Sequence, residues 1–220
     1  MSGDVEELYD YSQLRGSTDA TMIVAHVSRS TLVLGGSQPA SVIDPRTLSG
    51  TTLRRRRGGG GLVLLRPDDL WVDWWIPHDD ARWSPDVHVS SMQAGHWWAG
   101  ELEHYTDEAV SVHEGSVDGT PAFRVVCFAG RGPGEVFIGN RKAVGVTQWR
   151  VREGVFLSTV LHAEPTSDVL DFLLHVPEGL VDALDHQALS MLHPVARGDL
   201  VEQLRLSSGP WHFRSLSLIP

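Results

Sequence analysis

The sequence predicts an α+β domain: a mixed, largely antiparallel sheet with packed helices. Three observations carry that expectation. Short apolar runs recur along the chain, most of them closed by Gly, Pro, Asn or Asp, which is the pattern of strands joined by turns. Helical periodicity is confined to one central stretch and to the C-terminal part, so helices and strands are grouped and do not alternate as in a parallel α/β fold. The chain has 220 residues with apolar and charged contents in the ordinary globular range, enough for one core that buries roughly 70% of the unfolded surface.

Residues 1–20 are polar and turn-rich and read as a poorly ordered arm or a short docked segment, with the main domain spanning 21–220. Strands are expected at Thr21–Ser28, Thr31–Leu34, Leu62–Leu65 and Leu70–Ile76, the last stopped by Pro77. In that last strand Leu70, Val72, Trp74 and Ile76 share one face. Trp71, Asp73 and Trp75 share the other, which is more polar than a sealed core favours and is a candidate pocket lining. The main helix is expected over 84–105, with Ser84 as N-cap and Pro85 at the first helical position. Further strands follow at Ala109–His113, Ala122–Phe128, Val136–Ile138, Lys142–Gln148 and Val155–Leu161. Three C-terminal helices are expected: Asp168–Leu174 capped by Ser167, a second from Pro177 to about Met191, and a third over Asp199–Leu206.

The net charge of −10 argues against a general nucleic-acid binder, whose affinity rests on neutralising phosphates. The single cysteine, Cys127, excludes an intrachain disulfide framework and fits a reducing compartment. No apolar run approaches the ~20 residues a membrane crossing needs. The acidic start, Asp4-Val5-Glu6-Glu7, shows no secretory apolar region. A cytoplasmic protein without membrane or nucleic-acid partners is expected. His96 and His104 read as helix-surface residues, and no spacing points to a metal site.

Two stretches carry chemistry. In Arg54-Arg55-Arg56-Arg57-Gly58-Gly59-Gly60-Gly61 four cations run into four glycines. Glycines let bare N–H groups approach a ligand and form an anion-cradling concavity, and guanidinium forks match carboxylate or phosphate oxygens in pairs. By itself the stretch reads equally well as a flexible hairpin beside a solvated basic cluster. The second stretch runs from Lys142 through Gly145 and Gln148 to Arg150. A lysine just after the Gly139-Asn140 turn could place its ammonium on a carbonyl or phosphate oxygen as charge develops. Alone, it reads as a solvated edge-strand charge.

Together the stretches resemble the lipoate–protein ligase and octanoyltransferase family, which belongs with the biotin–protein ligases. The R-R-x-x-G-G-G-x-V loop of the lipoyl branch is matched by Arg55, Arg56, Gly59, Gly60, Gly61 and Val63. Its K-x-x-G-x-x-Q-x-R segment is matched by Lys142, Gly145, Gln148 and Arg150. Upstream, Gly35 and Gln38 resemble the G-x-x-Q turn that walls the acyl site; downstream, Asp168–Phe172 and Val176-Pro177 resemble the D-L-x-x-F and I-x-P region. The match runs over roughly residues 30 to 180. The family's H-G-[ST] turn is replaced by Leu157-Ser158-Thr159, and its N-terminal helix is abbreviated.

The resemblance implies a fold like biotin synthetase and the class II aminoacyl-tRNA synthetase cores. It implies ATP-dependent attachment of lipoate or octanoate to a lysine of a lipoyl-domain protein through an acyl-adenylate, with ATP and Mg²⁺ as cofactors. Arg55, Arg56 and the glycine amides would then face the adenylate, with Lys142 on phosphate and acyl carbonyl, and Gly145, Gln148 and Gln38 around the site. Trp71, Trp75 and Trp149 are candidates for an apolar acyl slot, or ordinary core residues. The family also holds transferases that pass the acyl group from an acyl carrier through a cysteine thioester. The cysteine of one branch is replaced here by Glu178, whereas that of another aligns with Cys127, which otherwise reads as an inert small hydrophobe. An accessory domain found in some ligases would have to come from a partner. A catalytically silent homologue that binds an acyl group or a lipoyl domain is the remaining reading.

Overall fold

The computed structural model describes residues 5–118, 124–187, 194–207 and 211–219. Ten strands form two sheets: β1 (Thr21–Val27), β2 (Thr31–Leu34), β3 (Thr52–Arg55), β4 (Val63–Leu65), β5 (Leu70–Pro77), β6 (Val110–Val112), β7 (Val136–Ile138), β8 (Arg141–Val151), β9 (Gly154–Leu161) and β10 (His212–Ile219). The larger sheet has seven strands in the order β10-β1-β5-β9-β8-β7-β6, and the smaller has the order β3-β2-β4. Every pairing is antiparallel except β1 with β10 and β2 with β3. The expected mixed, largely antiparallel α+β architecture is therefore the one observed. β3 and β10 were not expected. The Thr-Leu-Arg-Arg sequence of β3 has no apolar alternation and is half-buried throughout.

The alternation along β5 sorts its side chains between two cores. Leu70, Val72, Trp74 and Ile76 pack with Met22 and Val24, with Ala94, Trp98 and Leu102 of α2 (Val87–Leu102), and with Leu200 and Leu204 of α4 (Pro194–Ser207). Trp71 and Trp75 face the opposite core, shared with the small sheet, the N-terminal segment, and Leu180 and Leu184 of α3 (Leu180–Gln187).

Residues 5–20 are docked. Leu8 N–H donates to the Arg55 carbonyl and Arg55 N–H to that of Glu6, both at 2.9 Å. Leu8, Tyr9, Tyr11 and Leu14 are buried, the last two in the short helix α1 (Tyr11–Arg15).

The remaining differences have local causes. α2 starts later than expected because Asp86, not Ser84, accepts from the first free N–H groups, those of His88 and Val89. The strand expected over 122–128 is absent from its described part, 124–128. Val126 makes one bridge to Leu62, and a 3₁₀ turn at Cys127–Ala129 then carries Phe128 into the core, its ring 4.4 Å from that of His162. The helix expected at 168–174 is a 3₁₀ turn, Ser167–Phe172, because the chain then pairs with residues 42–44: Leu174 N–H donates to Val42 and Asp44 N–H to Phe172. The second C-terminal helix is observed as α3, the end expected at 188–191 lies outside the described residues, and the third lies within α4. No helix among the described residues is long and apolar enough to cross a membrane.

Candidate active site

The glycine loop is held from inside by its own arginines. Arg56 is buried, and its guanidinium donates to the carbonyls of Gly59 and Gly61, both at 2.7 Å, and of Val33 at 3.2 Å. Arg55 donates to the carbonyls of Gly35, Gly36 and Gln38. The two turns, 35–38 and 58–61, are thereby brought backbone to backbone. Gly35 is required there, since a Cβ would lie 1.9 Å from the Gly60 carbonyl oxygen. Gly60 is held at φ +90° and also faces Cys127. A Gly35→Ala substitution is expected to lower the urea midpoint by an amount equivalent to about 3 kcal/mol, the upper end for overpacking, because the obstacle is backbone. A midpoint within error of wild type would show that the turns do not need this contact.

The outer arginines do other work. Arg54 pairs with Glu6, while Arg57 pairs with Glu7 and stacks on the Tyr11 and Trp149 rings, 4.9 and 4.6 Å from their centroids. Trp149 is thus a platform for Arg57. Trp75 is fully buried and donates its indole N–H to the Ser17 carbonyl. Neither lines the apolar slot beside Trp71 or its adjoining cleft, and both are packing residues, not slot residues as expected.

Trp71 does line a cavity. With Leu8, Val33, Val63, Leu65 and Val160 it forms an apolar slot of about 40 Å³, to which Arg56, Cys127, Gly145 and Ser158 also contribute. Beside it lies a cleft of about 720 Å³, lined by Gln38, Gly59–Gly61, Arg124, Arg131, Glu135 and Gln148 among others. Cys127, Val146 and Thr147 line both, so slot and cleft adjoin at the cysteine. The expected pocket on the Trp71 face therefore exists, but Asp73 itself is fully buried behind it. Asp73 accepts from the Tyr9 hydroxyl, from the Trp71 indole at 2.6 Å and from Thr159 N–H at 3.1 Å.

Lys142 lies beneath this junction and is 1% exposed. Its ammonium donates to Glu135 at 2.6 Å, to the Cys127 carbonyl at 2.7 Å and to that of Gly130 at 3.2 Å. It lines neither cavity. The solvated edge-strand reading is ruled out by this burial, and the ammonium forms a buried ion pair with Glu135. Burial pushes the Glu135 carboxyl up, with Lys142 pulling it back. Glu135 escaped the sequence reading, although an acid directly preceding the apolar run Val136–Ile138 is a usable signal. Gly145 makes room for Phe128, whose ring would lie 3.1 Å from a Cβ there. Gln38 donates to the Val125 carbonyl at 2.9 Å. Gln148 donates to Val87 and Ser91 of α2, both at 2.7 Å, tying the helix to the cleft wall.

No protein-family model matches the sequence, and no curated protein matches it. Solved structures do. A Thermoplasma acidophilum protein assigned as a lipoate protein ligase, with bound lipoic acid, superposes with a TM-score of 0.69 at 15% identity, over 96% of this chain and 82% of that one. The chain has the lipoate–protein ligase fold. Lipoate-protein ligase A bound with ATP gives 0.68 at 16% identity, over 97% and 82%. The bipartite lipoate protein ligase of T. acidophilum, described with its E2 lipoyl domain, gives 0.66 at 15% identity, over 97% and 80%. Within this fold, the slot, the cleft and the glycine loop of the present chain meet at one point.

Proposed function

We propose that the protein attaches lipoate, or a related straight-chain acid, to a lysine of a lipoyl-domain acceptor through an acyl-adenylate. The observation that carries the reading is Arg56. It is a buried cation bonded only to carbonyl oxygens, with no carboxylate partner among the described residues, on the wall of an apolar slot. A buried charge is ordinarily paired, so the site favours an anionic guest. An acid whose chain lies in the slot places its carboxylate toward Arg56 and the glycine loop.

The adjoining cleft falls within the ~300–1,000 Å³ range of ligand pockets, and its Gly59–Gly61 floor admits a phosphate group without side-chain obstruction. ATP, when bound there, supplies the adenylyl group that activates the carboxylate, with pyrophosphate leaving. Mg²⁺ would arrive with its phosphates; among the described residues no cluster of three or more His, Cys, Asp and Glu could hold a metal. Arg56 then stabilises negative charge on the activated acid, and Lys142 fixes the Cys127–Gly130 main chain against which it lies.

A second reading is favoured by the position of Cys127 at the slot–cleft junction. Its thiolate would displace a carrier thiol from an acyl thioester, and the acceptor lysine amine would then displace the cysteine to leave an amide. Incubation with apo lipoyl domain, and either acid plus Mg-ATP or an acyl-carrier donor, separates the two by intact mass. Acylation with acid and ATP that survives Cys127→Ala is the expected result. Acylation only from the carrier donor, lost in Cys127→Ala, overturns the ligase reading. Acid binding without turnover from either donor identifies a silent homologue.

A further inference from the structure

The arginines beside the glycine loop are already engaged. Arg54 and Arg57 pair with Glu6 and Glu7, and the heads of Arg55 and Arg56 are bonded to main-chain carbonyls. None of the four lines the cleft. A polyphosphate that settles on Gly59–Gly61 must find its cations elsewhere, all the more in a chain of net charge −10.

The opposite wall supplies them. Arg124 and Arg131 both line the cleft, and among the described residues neither takes part in an ion pair. Arg124 is set against the glycine floor by its backbone: a Cβ on Gly61 would lie 2.4 Å from the Arg124 carbonyl oxygen. The next residues lock that contact, Leu62 N–H donating to the Val125 carbonyl at 2.8 Å and Cys127 N–H to that of Leu62 at 3.0 Å. Arg131 follows Gly130, whose carbonyl accepts from Lys142, and exchanges two main-chain bonds with Asp118 at 2.8 and 3.1 Å. Its guanidinium stacks 4.7 Å from the centroid of Phe137, the cross-strand partner of Lys142, which puts it on the Lys142 side of the sheet. Glu135, an acid of the same wall, is already neutralised by Lys142.

Taking the adenylation of the proposed function as given, we propose that Arg124 and Arg131 clamp the β- and γ-phosphates of the nucleotide. A carboxylate oxygen of the acid bonds to the α-phosphorus, the bond from that phosphorus to the α,β-bridging oxygen breaks, and pyrophosphate leaves with the electron pair. Guanidinium forks match its oxygens in pairs and stabilise the charge that gathers on it.

Steady-state kinetics of the full chain with octanoate, Mg-ATP and apo lipoyl domain test this in Arg124→Gln, Arg131→Gln and the double variant. A second assay supplies chemically prepared octanoyl-adenylate, which has no β- or γ-phosphate. Each single variant is expected to raise the KM for ATP and to weaken inhibition by pyrophosphate about ten- to a hundredfold, the range for a charged hydrogen bond. The loss with ATP should exceed the loss with octanoyl-adenylate by at least about tenfold, and Arg131→Lys should recover part of it. Equal losses in the two assays would show that the arginines serve the fold, and overturn the clamp. ATP and pyrophosphate constants within about twofold of wild type in the double variant also overturn it, leaving the adenylation reading standing. Loss confined to transfer from an acyl-carrier donor assigns the arginines to the carrier's phosphate and overturns the clamp as well. A wild-type chain that neither turns over ATP nor binds pyrophosphate overturns the adenylation reading and the clamp with it.

Discussion

Lys142→Ala is expected to abolish acyl transfer and to lower the unfolding free energy by about 3–5 kcal/mol, the range for stripping one partner from a buried ion pair. The substitution leaves Glu135 buried with its only salt-bridge partner among the described residues gone, and frees the Cys127 and Gly130 carbonyls that the ammonium holds. The loss should depend on pH. Burial already raises the Glu135 carboxyl, and Lys142 opposes that rise. Without the lysine the native state holds a proton more tightly than the unfolded chain does. The variant's deficit is therefore smallest at low pH and grows once pH passes the wild-type Glu135 value, which burial already holds above the ordinary carboxylate range. Urea titrations across that range check the sign, and a deficit that shrinks with rising pH contradicts it.

Stability and activity can be separated here. A Lys142→Met, Glu135→Leu double variant replaces the pair with apolar groups of similar size, which is often neutral for stability. It should refold to near wild-type stability and remain inactive, because no ammonium then holds the Cys127 and Gly130 carbonyls beside the site. A stable and active double variant would confine Lys142 to a structural role.

The difference between what was legible in the sequence and what was not follows from the kind of interaction. Alternation along Leu70–Ile76 was legible because burial on a pleated strand has period two, and both faces of β5 are sorted as expected. The meeting of the glycine loop with Gln38, Cys127 and Gln148 was legible from motif order, since all of them line one cleft. What escaped depends on partners distant in sequence. Nothing local to Arg55 or Arg56 says that their heads grip carbonyls at residues 33 to 38 as well as in the glycine loop. Nothing local to Leu8 says that it walls a slot against β5 and β9. The parallel strand β10 pairs with β1 across nearly the whole chain, and pairing at that separation leaves no periodic mark.

The buried Asp73 network should make stability fall as pH rises through neutrality. Burial is the main influence on this carboxyl and raises it, while bonds from Tyr9, Ser158, Trp71 and the Thr159 amide hold it down; the balance lies at about 7. An unfolded aspartate titrates near 3.9, so between about 4 and about 7 the native state binds the extra proton. Unfolding free energy then decreases with pH in that window. Three units at about 1.4 kcal/mol each set an upper scale of about 4 kcal/mol. Asp44, Asp69 and Asp80 are shifted downward and act with the opposite sign at more acid pH, so the quantity to measure is the difference between wild type and Asp73→Asn. That difference should favour wild type most at pH 4, decline through about pH 7 and level off towards pH 8. Tyr9→Phe supplies the control: removing a donor that favours the charged form should carry the descent to higher pH. A packing role for the tyrosine would lower stability equally at every pH. Because Tyr9 and Trp71 bond the same carboxylate, ionisation of Asp73 also strengthens the acceptor shared by the docked N-terminal segment and the Trp71 wall of the slot, tying the pH dependence of the fold to the candidate site.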